Sequence, residues 1–225
     1  MRALLIANTG DDDPGYVGER LNQRGYSLET RHRDQPELPE SLESFDLIVM
    51  FGSDWSVYWE HVRDDVERES ELIRQAAASD VPVLGICYGA QLMSHALGGS
   101  VEAAGRAEIG WYDITTDDEA LAPPGPWFEY HVDKFTAPLG ARVLASSPAG
   151  PQAYRLGRML ALQFHPEVSP DIIRRWGKSA ATDAEKYGVN LEAVYLESDR
   201  RANDSRRRCH DLVDTFLDQV AAPPS

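Results

Sequence analysis

The residues best able to do chemistry in this chain are a cysteine, a histidine and a glutamate in two short motifs. The first motif, Gly85-Ile86-Cys87-Tyr88-Gly89, has the pattern G-x-C-x-G. It is the thiol form of the nucleophile elbow, a sharp strand-to-helix turn that exposes a reactive side chain on a strained backbone. Amides at the start of the following helix favour a thiolate and can donate to an oxyanion. Cysteine is also often a small buried hydrophobe, and the pentapeptide alone leaves both interpretations open.

The second motif decides between them. Gln163-Phe164-His165-Pro166-Glu167 closes an apolar run that begins at Met159. In a strand, His165 and Glu167 lie on one side and Pro166 on the other. The carboxylate can then orient the imidazole, which takes a proton from Cys87 and returns it to a leaving amine. A lone histidine at a strand end is usually structural, but the two motifs together predict a Cys87–His165–Glu167 triad.

The elements that must position these residues alternate between strand and helix up to Leu97. Apolar and period-2 runs predict strands, and 3.6-residue periodicity predicts the helices between them. This alternation implies a parallel sheet with helices on both faces. The active site is expected outside the carboxyl ends of the strands. The predicted strands are Arg2–Ala7, Tyr26–Arg31, Phe45–Phe51 and Val81–Ile86, and the predicted helices are Tyr16–Arg24, His61–Ala78 and Tyr88–Leu97.

Beyond Gly99 the pattern changes to shorter segments and then to helices. Short strands predict an antiparallel addition to the sheet; they are Ser100–Ala104, Trp111–Thr116, Arg142–Ala145 and Ala153–Leu156. Helices are predicted over Asp171–Ala180, with Ser169 as N-cap, and over Asp204–Val220. We expect one domain over residues 1–220, with 168–220 as a helical extension and 221–225 as a disordered tail.

The two motifs together resemble the class I (triad-type) glutamine amidotransferase family. The resemblance rests on Gly-Ile-Cys-Tyr-Gly-Ala-Gln at residues 85–91 and Phe-His-Pro-Glu at residues 164–167. More closely, residues 1 to about 167 are similar to stand-alone proteins that resemble the amidotransferase domain of GMP synthase. The expected fold is an α/β, flavodoxin-like three-layer sandwich with a mostly parallel central sheet. The implied reaction is hydrolysis of the glutamine side-chain amide through a thioester on Cys87.

The resemblance also assigns further residues to the site. Backbone amides of Gly52 and Tyr88 are implied as oxyanion donors, and Gln91 as a contact to bound glutamine. Tyr130, Val132 and Asp133 fall in a segment that covers the glutamine pocket in relatives. The chain departs from the family at two places. Phe51-Gly52 replaces a common Gly-Gly pair, and Val132 replaces the glycine of a common His-Gly-Asp.

Composition sets the remaining expectations. The chain has 225 residues and a formal net charge of −15, which argues against nucleic acid or an anionic membrane as partner. Two distant cysteines make no disulfide framework, and a working thiolate favours the cytoplasm. The acidic run Asp11–Asp13 reads as a solvated loop rather than a cation site. No metal or organic cofactor is implied, and the length leaves no room for a full synthetase.

Three functions remain open at this point. The chain is either the glutaminase half of a two-protein amidotransferase that hands ammonia to a separate synthetase, or a free-standing hydrolase of γ-glutamyl amides or peptides. A third interpretation, an interaction domain with a decayed site, is disfavoured because all three triad residues are intact. The first two share every catalytic residue, so the sequence does not separate them.

Overall fold

The computed structural model describes residues 1–36, 38–39, 41–179 and 181–222. Its strands are β1 (Arg2–Ala7), β2 (Ser27–His32), β3 (Leu47–Met50), β4 (Val83–Ile86), β5 (Val101–Thr116), β6 (Gly125–Phe135), β7 (Arg142–Ser147), β8 (Gly150–Leu156) and β9 (Met159–Leu162). Its helices are α1 (Gly15–Gln23), α2 (Arg63–Ala78), α3 (Tyr88–Ala96), α4 (Pro170–Ser179), α5 (Ala181–Lys186) and α6 (Leu191–Gln219), with a 3₁₀ turn at Glu60–Val62.

The strands of the described residues form one nine-stranded mixed sheet in the order β2-β1-β3-β4-β9-β8-β7-β5-β6. Neighbours from β2 to β9 are parallel, and neighbours from β9 to β6 are antiparallel. The predicted α/β class, with a parallel sheet and an antiparallel addition, is confirmed. Because β4 and β9 are parallel neighbours, the cysteine motif after β4 and the histidine motif after β9 leave the sheet at the same edge.

The core consists of two large hydrophobic clusters that share the parallel strands. Alternate residues of β1 fall into different clusters, Leu5 in one and Leu4 in the other, as the period of a strand requires. The first cluster also takes in the buried face of α6, and the second takes in α2 and α3. Helix α1 packs against α6, and α2 packs against α3. Apolar burial on both faces explains why β1, β3, β4 and β9 are continuous apolar runs, whereas the edge strand β2 is polar and only partly buried.

The largest differences from the sequence-based expectation concern one strand and two helices. The two strands predicted on either side of residues 105–110 are one 16-residue strand, β5, which pairs with β6 through an irregularity between Ala103 and Glu108. The last helix begins at Leu191 rather than Asp204, and α5 was not predicted. The first half of α6 is rich in Glu, Asp and Arg, so it lacks an apolar stripe that would reveal it. Asn190 caps it by accepting from the Ala193 amide at 3.1 Å.

The other predictions for the C-terminal region have mixed outcomes. The side chain of Ser169 accepts from the Ile172 amide at 3.3 Å, as the predicted N-cap of α4 should. Of the predicted disordered tail, residues 223–225 lie outside the described residues. Within the described ranges, no helix combines the length and apolar character needed to cross a membrane.

Candidate active site

Cys87 occupies the turn between β4 and α3. Its φ is 51°, one of two positive values at non-glycine residues that the structure describes, and this is the strained conformation expected of a nucleophile elbow. The neighbouring glycine is a steric requirement, since a Cβ at Gly89 would lie 2.1 Å from the backbone oxygen of Met50. The Cys87 amide donates to the carbonyl of Leu162 at 2.7 Å. The turn is therefore held against the ends of both β3 and β9.

His165 and Glu167 lie beyond the end of β9, where His165 forms an isolated antiparallel bridge with Phe128 and Glu167 lies in a turn. The His165 amide donates to the Phe128 carbonyl of β6 at 2.8 Å. Its ring Nδ1 lies 2.7 Å from Glu167 Oε1, and both side chains are buried. The expected pairing of imidazole and carboxylate is therefore present, although Glu167 lies in a turn and not in a strand.

The backbone of Glu167 is held by the start of α1. The Tyr16 amide donates to the Glu167 carbonyl at 2.8 Å. Gly15, with φ of 49°, lies directly against the same carbonyl, and a Cβ there would be 2.0 Å from the oxygen. Only glycine fits at this position, so the helix and the carboxylate-bearing segment are in tight contact.

Cys87, His165 and Gly52 converge at the sheet edge. A Cβ built on Gly52 would lie 3.0 Å from His165 Cε1 and 3.7 Å from Cys87 Cβ. His165 Nε2 is buried and has no hydrogen-bond partner among the described residues. Burial of the ring opposes its protonation, but the charges of Glu167 and Cys87 outweigh burial and raise the pKa of His165 well above its usual value. The surroundings therefore favour the protonated, imidazolium form of His165.

A buried arginine that the sequence analysis missed supports the Gly52 loop. Arg33 is fully buried and donates from its guanidinium to the carbonyls of Phe51 and Gly52, both at 2.9 Å. Its Nε lies 3.3 Å from Glu69 Oε2, and its Cζ lies 4.6 Å from the centre of the Tyr88 ring. One side chain thus contacts both segments predicted to supply oxyanion amides.

A signal for this pair was present in the sequence. Glu69 falls three residues after Val66 and four before Ile73, on the apolar face of α2. A carboxylate at helical core spacing needs a buried cationic partner. The pattern does not identify Arg33 as that partner.

The thiol of Cys87 is in contact with two polar groups. Gln163 Nε2 lies 3.6 Å from Cys87 Sγ, and the Tyr130 carbonyl lies 3.7 Å from it. Gln163 is itself oriented by Gln91, whose Nε2 donates to Gln163 Oε1 at 3.2 Å and to the Asp133 carbonyl at 3.5 Å. Gln91 is 3% exposed, so its amide is held in place on the sulfur side of the site.

A cavity of about 730 Å³ opens over the thiol. Seven of the predicted site residues line it: Gly52, Cys87, Gln91, Tyr130, Val132, Asp133 and His165. The side chains of Tyr88 and Glu167 do not, because Tyr88 packs on Arg33 and Glu167 binds His165 Nδ1. The carboxylate of Asp133 accepts from Ser56 Oγ and Tyr58 Oη at 2.5 and 2.7 Å. Asp133 thus fastens the loop after β3 to β6.

Aromatic residues form much of the cavity wall. They are Trp55, Trp59, Tyr130, Trp176 and Tyr187. The ring of Trp176, on α4, packs edge-on to His165 with 4.9 Å between ring centres, and its Nε1 donates to Asp11 Oδ1 at 2.8 Å. Asp13 lies 3.3 Å from Arg175 of the same helix. The acidic loop after β1 is therefore tied to α4.

The second cysteine has none of these features. Cys209 lies within α6 and is fully buried in the hydrophobic core. Burial raises the pKa of its thiol well above the usual value. Away from Cys87, the described residues contain one grouping that could hold a metal ion, namely Glu108, Glu129 and His131, whose ligand atoms lie within 4.8 Å of one another.

Comparison with known proteins identifies the family. The model of the class-I glutamine amidotransferase family matches residues 16–174, most of the chain and both motifs. The chain belongs to the class-I glutamine amidotransferase family. Its membership confirms the prediction of an enzyme of the glutamine amidotransferase class, and the resemblance read from the two motifs was correct.

Two glutamine-hydrolysing GMP synthases illustrate the similarity in sequence. That of Methylobacillus flagellatus is 35% identical over 186 residues, covering 74% of this chain and 34% of the relative. That of Aromatoleum aromaticum is 41% identical over 110 residues, covering 41% of this chain and 21% of the relative. The chain thus spans about a third or less of the curated relatives it matches.

A solved structure illustrates the similarity in fold. A glutamine amidotransferase from Thermotoga maritima superposes with a TM-score of 0.88, covering 97% of this chain and 99% of that chain. The two sequences are 24% identical, so this likeness concerns the fold alone. Unlike the GMP synthases, that protein matches the present chain over nearly its whole length.

Proposed function

We propose that this protein hydrolyses the side-chain amide of L-glutamine through a γ-glutamyl thioester on Cys87 and releases ammonia to a separate acceptor enzyme. The observation that carries the proposal is the convergence of Cys87, at positive φ, with the ring of His165, whose Nδ1 is held by Glu167 at 2.7 Å. Nucleophile, base and orienting group are the three parts that acyl transfer needs.

In this mechanism the Cys87 thiolate attacks the amide carbon, and a negative charge develops on the oxygen. The backbone amides of Gly52 and Tyr88 stabilise that charge, and Arg33 keeps the two segments in place. His165 donates its proton to the departing nitrogen, so that ammonia leaves and the thioester remains. His165 then removes a proton from water, which attacks the thioester and releases glutamate.

Substrate binding is assigned to the cavity wall beside the thiol. Gln91 and the segment Tyr130–Asp133 line the cavity next to Cys87. Tyr130 presents its carbonyl toward the sulfur, and Val132 is 37% exposed at the rim. Asp133 is assigned to substrate binding with them, and its carboxylate also holds the loop after β3.

Three further predictions belong to this proposal. The layering is that of a flavodoxin-like three-layer sandwich, supported by the two core clusters on the parallel strands. Residues 1–220 act as a single domain. The reaction takes place in the cytoplasm, where a thiolate stays reduced, and it uses a synthetase-type acceptor because free ammonia is mostly protonated at neutral pH.

A second candidate function is a free-standing hydrolase of γ-glutamyl amides or peptides. The size of the cavity favours it. At about 730 Å³ it lies in the upper part of the range for drug-sized ligand sites, ~300–1,000 Å³, and it is walled by five aromatic side chains. The side chain of glutamine fills a small part of such a space, whereas a γ-glutamyl compound with a larger amine would occupy more of it.

The test is steady-state turnover by the purified chain on glutamine and on a panel of γ-glutamyl amides and peptides. For an amidotransferase subunit we expect slow hydrolysis of glutamine alone. Binding of a partner and its acceptor substrate should raise the rate of glutamine hydrolysis by ~10²–10³, because placing one oxyanion donor correctly changes the rate by about that factor. A Cys87→Ala variant should be inactive in every assay, and Cys209→Ala should match the unmodified chain.

Two outcomes would contradict parts of this proposal. Fast turnover of a γ-glutamyl compound other than glutamine, without a partner, would replace the amidotransferase function with the hydrolase. Labelling of Cys209 rather than Cys87 by a glutamine-like electrophile, read by mass spectrometry, would remove the assigned nucleophile.

A further inference from the structure

A buried polar cluster lies on strands β5, β6 and β8, apart from the triad. Glu108 of β5 is the cross-strand partner of His131 of β6. Glu129 lies two residues before His131 and therefore on the same face of β6. Gln152 of β8 completes the cluster. The exposed fraction is 0% for both glutamates and for Gln152, and 5% for His131. Two carboxylates are thus removed from water together.

The tautomer of His131 is fixed by its surroundings. Its Nδ1 lies 2.9 Å from the Asp133 backbone carbonyl, which can only accept, so Nδ1 carries a hydrogen. In the neutral ring Nε2 then has a free lone pair. That atom faces Glu108 Oε2 at 3.2 Å and Glu129 Oε2 at 3.4 Å. Three lone-pair atoms then meet at one point, and a positive charge between them, either a metal ion or a proton, would remove their repulsion.

The carboxylate oxygens of the cluster are poorly satisfied. Neither oxygen of Glu129 meets a hydrogen-bond donor in the part of the chain that the structure describes, and the same holds for Glu108 Oε1. The second oxygen of Glu108 accepts from Ser147 Oγ and Gln152 Nε2 at 2.8 and 3.0 Å. An unpaired buried carboxylate is costly.

We propose that Glu108, Glu129 and His131 bind a divalent metal ion, such as Zn²⁺ or Mn²⁺, at a structural site behind the catalytic centre. One imidazole and two carboxylates are a donor set that these ions accept. For metal–ligand distances of about 2.0–2.2 Å, neighbouring ligand atoms lie about 3.0–3.5 Å apart, and both separations from Nε2 fall in this range. A metal-binding histidine typically donates its other N–H to a carbonyl or carboxylate, as His131 does.

The ion would support the active site through strand β6. Glu129 is flanked by Phe128, whose carbonyl accepts from the His165 amide at 2.8 Å, and by Tyr130, whose carbonyl lies 3.7 Å from Cys87 Sγ. Fixing Glu129 to β5 therefore fixes the two carbonyls that contact the catalytic pair. The metal-site proposal does not depend on the proposed hydrolysis of glutamine, because any reaction at Cys87 would need the same support from β6.

The experiment measures metal content and thermal stability of the full chain. Protein stripped with a chelator is given Zn²⁺ or Mn²⁺ separately, desalted, and analysed by elemental mass spectrometry. We expect about one ion per chain for at least one of the metals, and at least a tenfold loss in Glu129→Gln, which keeps the shape and removes the charge. At ~100-fold excess over its dissociation constant, the ion should raise the melting temperature of the unmodified chain by about 5–10 °C.

Asp12→Asn, in the exposed acidic loop, is the matched control and should bind and melt like the unmodified chain. Loss of metal in this control, or equal metal in Glu129→Gln and the unmodified chain, overturns the proposal. If Glu129→Gln does not fold, the test rests on the metal content and melting temperature of the unmodified chain. Retention of about one ion together with a raised melting temperature supports the site. The absence of either result overturns it and leaves protons as the counter-charges.

Discussion

In the described part of the chain two buried histidines have similar surroundings and different proposed roles. His165 and His131 each direct Nδ1 at an oxygen, a Glu167 carboxylate in one case and the Asp133 carbonyl in the other. The difference lies at Nε2. In His165 this atom has no partner among the described residues, and the ring lies beside Cys87, whereas in His131 it faces two carboxylates. The two proposals therefore assign a fixed imidazole as a base in His165 and as a metal ligand in His131, according to what its second nitrogen meets.

The largest effect should come from deleting each imidazole. His165→Ala removes general acid–base catalysis, so kcat for glutamine should fall by ~10²–10⁴. It also leaves one buried carboxylate, Glu167, without its imidazole partner, so the melting temperature should fall as well. His131→Ala leaves two buried carboxylates without imidazole, so it should lower the melting temperature further. Steady-state kinetics and thermal unfolding of both variants check this. A large loss of stability in His165→Ala with normal stability in His131→Ala would reverse the two roles.

A smaller effect is expected from Glu167→Gln. This change keeps a hydrogen-bonding group beside His165 Nδ1 but removes the charge. A hydrogen bond to a charged partner is worth a few kcal/mol at most, so kcat should fall about ten- to hundredfold. A loss equal to that of His165→Ala, measured on folded protein, would mean that the carboxylate takes a direct part in the chemistry.

The smallest effect concerns stability and pH. Because the folded pKa of His165 is raised, its protonated ring stabilises the fold fully below an unfolded pKa of ~6.5. That contribution is lost as pH rises through the folded value. Glu167 is the main charge that raises the pKa, so the unfolding free energy of the unmodified chain should exceed that of Glu167→Gln most near pH 6. Urea denaturation from pH 6 upward should show the difference shrinking. A difference that grows with pH would mean that the sign is wrong.

How far the sequence predicted the molecule depends on whether a feature is local. The Cys87 turn was predictable because two glycines and a strand-to-helix change specify it within a few residues. Strands β1 to β4 and helices α1 to α3 were predictable because each has its own periodicity. The roles of the site residues stay predictions, although the structure does bring Cys87, Gly52 and His165 together.

The features that escaped prediction depend on distant partners. Arg33 and Glu69 are buried together, yet neither lies in a motif. Glu108 and Glu129 are 21 positions apart in sequence. They meet only because β5 and β6 pair in the register that begins at Glu108, after the irregularity. The polar first half of α6 gave no apolar stripe. In each case the deciding interaction is made by the folded chain rather than by neighbours in sequence.

The close contact between Gly15 and the Glu167 carbonyl has a consequence for genetics. Gly15 is the first residue of α1, is distant from Cys87 in sequence and has no side chain that could take part in catalysis. Any side chain there meets the backbone that carries the triad carboxylate. A collection of inactivating alleles of this gene should therefore contain replacements of Gly15 beside those of Cys87 and His165. A reader of the sequence alone would class them as harmless changes at a helix end.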